Sequence, residues 1–129
     1  MKKLSLQIDK KCFNAILNGE QKVEHRYVYP SNVTKYVTFE VGGHEYKRQE
    51  EIPDTDDAVT IKPIQYDALY LINGRRKDAP RQLVEVEKAE FVIFTDEDGK
   101  DLTYEQDGQE YLVCQVWYYL GKVISTENV

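Results

Sequence analysis

An α+β fold, mainly β, is what this sequence predicts, and three observations carry that expectation. Between its turns the chain repeatedly alternates apolar and polar residues, the period of a half-buried strand. Ten tyrosines favour a pleated surface, where aromatic rings pack well, over helices. Helical spacing of apolar residues shows in one short stretch only, residues 10–18. With 129 residues the chain has the usual size of one domain, so a single domain over 1–129 is expected. A chain of that length buries enough surface to need no disulfide or metal staple.

Leu4, Leu6 and Ile8 alternate with Ser5, Gln7 and Asp9, which predicts a first strand. Asp9 is placed to cap a helix, because its carboxylate accepts from the free N–H groups of a first turn. Phe13, Ile16 and Leu17 share one helical face, and Gly19 follows where a left-handed closing residue is wanted. Alternation resumes over residues 22–28, with Val23, His25 and Tyr27 on one face and Lys22, Glu24 and Arg26 on the other. Pro30, Ser31 and Asn32 turn the chain. Residues 36–41 read as a strand joined to residues 45–48 by a Gly42-Gly43 hairpin turn. Residues 49–57, with five acids and Pro53, read as a solvated loop. Residues 66–73 and 83–94 read as strands. In the second, Val84 and Val86 have one parity and Phe91 and Ile93 the other, which predicts a bulge near residues 88–90. Residues 95–110 are acidic, with turns at Asp98-Gly99 and Asp107-Gly108. Residues 111–120 are apolar at nearly every position, a central strand ended by Gly121. Several strands with one early helix predict a small closed or nearly closed barrel.

The net charge of −6 argues against wrapping a nucleic-acid duplex by bulk electrostatics. The distribution is uneven, however. Residues 1–36 carry seven Lys/Arg against three acids, and the rest of the chain is acidic apart from Arg75, Arg76, Lys77 and Arg81. If these two clusters meet, they form a local anion site. Cys12 and Cys114 form no C-x-x-C pair and are expected to be reduced thiols. Asp9, Lys10 and Lys11 interrupt any apolar leader, and no stretch approaches the ~20 apolar residues of a membrane helix. A cytoplasmic protein without a membrane segment is expected. Two histidines, His25 and His44, without ligand-spaced partners give no expectation of a metal, and no cofactor is expected.

The chemistry concentrates in Gly19-Glu20-Gln21-Lys22-Val23-Glu24-His25-Arg26. Residues two apart on a strand face lie roughly 6–7 Å apart, which puts Glu24 between two cations. Lysine supplies a compact charge and arginine a fork of donors suited to phosphate or a base edge. From spacing alone, a solvated face with a surface ion pair is the favoured reading. Tyr27, Tyr29, Tyr36 and Tyr70 are candidates for stacking on a base, Tyr29 above all because it leaves a strand beside Pro30.

This stretch resembles the G-x-K-x-x-E-x-R signature of ASCH domains, barrels related to the PUA RNA-binding fold. Gly19, Glu24 and Arg26 match at the right spacing; Gln21 stands at the usual lysine, and Lys22 comes one place later. The preceding Leu-Ser-Leu strand and short helix fit, and Tyr66-Asp67-Ala68-Leu69-Tyr70 with Leu83-Val84-Glu85-Val86 resembles middle strands of phage-type and bacteroidal ASCH-like proteins. The resemblance implies a small PUA-like β-barrel with a short N-terminal helix. It also implies a cleft for RNA or a nucleoside-sized ligand, lined by Gly19, Gln21, Lys22, Glu24 and Arg26. Arg75, Arg76 and Lys77 would then contact phosphate and Tyr29 would stack. A second reading is a small hydrolase, acetylcytidine amidohydrolase-like or a ribonuclease, with Lys22 and Glu24 as acid/base groups. In it, Glu24 occupies the place of the amidohydrolases' threonine. A third is a protein-interaction module using the acidic loops 49–57 and 95–110.

Overall fold

A computed structural model describes residues 1–129. Half of the residues lie in strands and 12% in helices, so the chain has the mainly β, α+β class that alternation predicts. No helix is long and apolar enough to cross a membrane. The chain divides into two units built from interleaved segments. The first comprises Met1–Glu24, Gln65–Ala89 and Tyr118–Val129, the second His25–Ile64 and Glu90–Trp117.

In the first unit, β1 (Lys3–Gln7) buries Leu4 and Leu6 while its polar residues stay exposed. Helix α1 (Lys10–Leu17) starts at Asp9, whose carboxylate accepts from the Cys12 N–H at 2.7 Å, as the sequence predicts. It buries Phe13 and Ile16, worth roughly 1.5–3 kcal/mol each. β1 pairs in parallel with β6 (Ala68–Ile72), which pairs antiparallel with β7 (Arg81–Ile93). The strand order is β1-β6-β7-β10-β2, where β2 is Val23–Tyr27 and β10 is Cys114–Glu127; β2, β7 and β10 each carry residues of both units. Gln82, 1% exposed on β7, donates its amide to the Phe13 carbonyl at 2.9 Å and fixes α1 to the sheet. Leu69, Leu71, Val84 and Tyr118 complete the core.

In the second unit a short helix, α2 (Val33–Tyr36), follows the Pro30 turn. β3 (Val37–Val41) buries Val37, Phe39 and Val41 and pairs with β4 (His44–Tyr46) and β5 (Thr60–Pro63). The β3–β4 turn has positive φ at both Gly42 and Gly43, the twist a two-residue hairpin requires. β8 (Thr103–Gln106) and β9 (Gln109–Leu112) form a second hairpin around Asp107 and Gly108, again both at positive φ.

Four differences from the sequence expectation have physical causes. β5 and α2 are too short to show a period. The acidic stretch after residue 100 is a hairpin rather than a plain solvated edge, because its Asp-Gly turn pairs flanking residues of strand propensity. The expected strand over residues 111–120 is two strands, β9 and β10, separated at Val113. β10 then continues through Gly121 to Glu127. Gly121 lacks positive φ; it provides room, since a Cβ there would collide with the Glu85 carboxylate. Along β7 Gln82, Val84 and Val86 are buried, whereas beyond Lys88 Ala89, Phe91 and Val92 are half-buried and Ile93 is exposed, so the strand loses its alternation without passing to the expected Phe91/Ile93 parity.

Candidate functional site

The predicted signature begins at the end of α1. Gly19, at φ 77°, closes the helix: its N–H donates to the Ile16 carbonyl and the Glu20 N–H to the Ala15 carbonyl. These two bonds form a Schellman motif. The Gln21 N–H also donates to the Ala15 carbonyl, so the chain leaves the helix with Gln21 fixed. The Gln21 side-chain amide then donates to the Val23 carbonyl at 3.0 Å and, more loosely at 3.4 Å, to Glu24 Oε1.

Glu24 is 7% exposed, so β2 buries the parity that carries charge and leaves His25 and Tyr27 exposed. A carboxylate taken out of water costs several kcal/mol unless it is paired and hydrogen-bonded. Glu24 accepts from the Gln21 amide and has at least one further interaction. Its charge also reaches Cys12, whose thiol is pushed up by burial, by its bond to Asp9 and by the Asp9 and Glu24 carboxylates. Cys12 is therefore a poor thiolate nucleophile.

The other predicted residues separate. Lys22 is exposed and lines a shallow pocket of about 590 Å³ with Val23, Glu85, Glu87, Tyr119, Gly121 and Lys122. Glu24 is not among its walls, so the expected Lys22/Glu24 acid/base pair does not share this pocket. The acids that line it are Glu85 and Glu87. Arg75 and Arg76 line a different pocket, formed by the loop 73–80, and Lys77 is exposed on the same loop. Lys22 and the Arg75-Arg76 loop thus line different pockets, while the two basic clusters meet at another point of the first unit, where Lys3 and Arg81 both lie over the Tyr70 ring. Arg26 and Tyr29 belong to the second unit, where Arg26 is half-buried and Tyr29 is 46% exposed.

The second unit holds aromatic features that sequence reading largely missed. Tyr27 makes stacked contacts with Tyr29, at 5.8 Å between centroids, and with Phe94, at 6.1 Å. Tyr104 and Tyr111 face each other across the β8–β9 ladder at 5.8 Å. The Tyr111 hydroxyl donates to Glu50 at 2.6 Å; this bond pushes Tyr111 up to about 12 and draws Glu50 down. Burial raises Tyr104, whose hydroxyl is buried without a hydrogen-bond partner. The signal for Tyr104 and Tyr111 was present, because a two-residue Asp107-Gly108 turn sets them directly opposite. Tyr36 and Tyr70 are not open stacking surfaces. Tyr36 is buried, and Tyr70 has Lys3 and Arg81 over its ring and its hydroxyl on Glu127.

No protein-family model, no curated protein and no solved structure matches this chain.

Proposed function

We propose that this chain is an ASCH-type module that binds RNA or a nucleoside-sized ligand, with Glu24 and Gln21 as its polar reading groups. The observation that supports this reading most is the burial of Glu24 beside the Gln21 amide. A carboxylate accepts and a primary amide donates, and the Watson–Crick edge of an unstacked base offers the complementary pattern. The exocyclic amine of a cytosine would donate to Glu24, and its ring nitrogen or carbonyl would accept the Gln21 N–H that lies loosely, at 3.4 Å, on Glu24 before the ligand arrives. The Schellman turn supports the reading too, since it orders Gln21 before any ligand arrives and so lowers the cost of binding. Arg75, Arg76 and Lys77 lie on their own loop of the same unit and would serve only the phosphates of a longer strand.

Calorimetric titration of the full chain with the four ribonucleosides and N4-acetylcytidine tests the reading. At least one should saturate, and Glu24→Gln, which keeps the shape and removes the charge, should weaken it about 10- to 100-fold. The melting temperature should move by only a few degrees. Equal affinity in both proteins, or no saturation by any nucleoside, would remove the proposal. Release of acetate from N4-acetylcytidine would replace it with the hydrolase reading.

A further inference from the structure

The charges of the two units are opposite. The first carries eleven Lys/Arg against eight Asp/Glu, a net of +3; the second carries six against fifteen, a net of −9. The exposed tyrosines Tyr27 and Tyr29 lie in the acidic unit. They flank a cavity of about 120 Å³ whose other walls are Val28, Tyr104, Val113 and Cys114. Burial pushes the Cys114 thiol up to about 11, so it forms a neutral wall at physiological pH. Side chains supply cations to tyrosine faces elsewhere: Lys2 lies over Tyr66, Lys3 and Arg81 over Tyr70, and Lys88 over Tyr119, all in the basic unit. Tyr27, Tyr29 and Tyr104 carry ring contacts to other aromatics instead.

We propose that this tyrosine-walled cavity binds a small organic cation bearing a quaternary or methylated ammonium group. The face of an aromatic ring carries partial negative charge and attracts a cation without demanding hydrogen bonds. A quaternary ammonium is weakly hydrated and apolar at its surface, so walls of valine and tyrosine suit it. An apolar cavity of roughly 150 Å³ takes up benzene, and 120 Å³ admits a group somewhat smaller, the size of a trimethylammonium head. The net charge of −9 on the unit as a whole raises the concentration of cations near it and repels phosphate. That charge decides against a nucleotide as the occupant, even though the same rings have the exposure a base would need. The ring contacts of Tyr27 with Tyr29 and Phe94 hold the walls in place before binding. This site is independent of Glu24 and stands or falls separately from the nucleoside reading.

The test titrates the full chain with choline and, separately, with 3,3-dimethylbutan-1-ol, its uncharged carbon isostere. Tyrosine ring resonances are followed by NMR. Choline should saturate and shift Tyr27, Tyr29 and Tyr104, and the isostere should bind at least about tenfold more weakly. Tyr29→Leu should abolish the preference while leaving the fold intact, because the ring is 46% exposed; Tyr27→Leu repeats the test at a second wall. Tyr104→Phe retains the ring and should retain binding. Equal affinity for the isostere, no saturation by choline at about 10 mM, or tighter binding of adenosine monophosphate to the same rings would each overturn the proposal.

Discussion

On β2 the buried residue is a glutamate and the exposed ones are a histidine and a tyrosine, the reverse of what transfer energies favour. Alternation shows that Glu24 and Arg26 share a parity, because a strand's period is fixed by its backbone. It cannot say which parity faces inward, because that depends on strands far away in the sequence. The helix ahead of β2 was far more legible: Asp9, the Phe13/Ile16 stripe and Gly19 each act within a few residues. Gly19 provides the sharpest residue-scale prediction. Its φ is +77°, and nothing lies within 4 Å of a Cβ built there, so Gly19→Ala pays backbone strain alone. Left-handed backbone costs an alanine roughly 1–2 kcal/mol, and the denaturant midpoint should fall by the corresponding amount. Gly19→Asn should recover part of that loss. If Gly19→Ala leaves the midpoint unchanged, the turn does not hold Gln21 as described.

The β8–β9 hairpin and the 3₁₀ turn Gln49–Glu51 form one element-scale device. Glu50 accepts from the Tyr111 hydroxyl, and the Gln49 side chain donates to the Glu110 carbonyl at 3.0 Å. The hairpin register could be read from its turn residues, whereas its partner in an acidic loop could not, since charge density alone suggests solvent. The shifts set the pH window. Tyr111 has a folded value of about 12 against an ordinary 10, so its bond is present below pH 10 and is lost as pH rises from about 10 to 12. Glu50 is shifted down from 4.5, so its contribution is present above that value and is lost as pH falls through the depressed one. Tyr111→Phe should remove one of the late-titrating phenols seen by phenolate absorbance and leave that of Tyr104, which burial raises. Amide exchange at Glu51 and Ile52, whose N–H groups close this turn, should accelerate in the variant at neutral pH. Unchanged exchange would mean the turn is held by its own backbone.

The interleaving of segments is a property of the whole molecule, and it sorts charge in a way the linear sequence only hints at. The basic start of the chain was legible, but residues 65–89 and 118–129 join it through strand pairing at long range, which no local period encodes. The resulting charge map limits how nucleic acid can bind. Lys22 and the Arg75-Arg76-Lys77 loop do not share a pocket, so a short strand engaging the loop meets about three cations. Each phosphate neutralised on a single strand contributes about −0.7 to the slope of log affinity against log salt, so that slope should be no steeper than about −2. Nucleoside binding at Glu24 involves no phosphate and should be nearly independent of salt. Anisotropy of a labelled single-stranded RNA across a salt series measures the first, and calorimetry across the same series measures the second. Arg75→Ala with Arg76→Ala and Lys77→Ala should flatten the RNA slope toward zero and leave nucleoside affinity unchanged. A slope steeper than about −3 in the unaltered protein would mean that cations beyond the loop, such as the Lys3 and Arg81 gathered at Tyr70, also engage the strand.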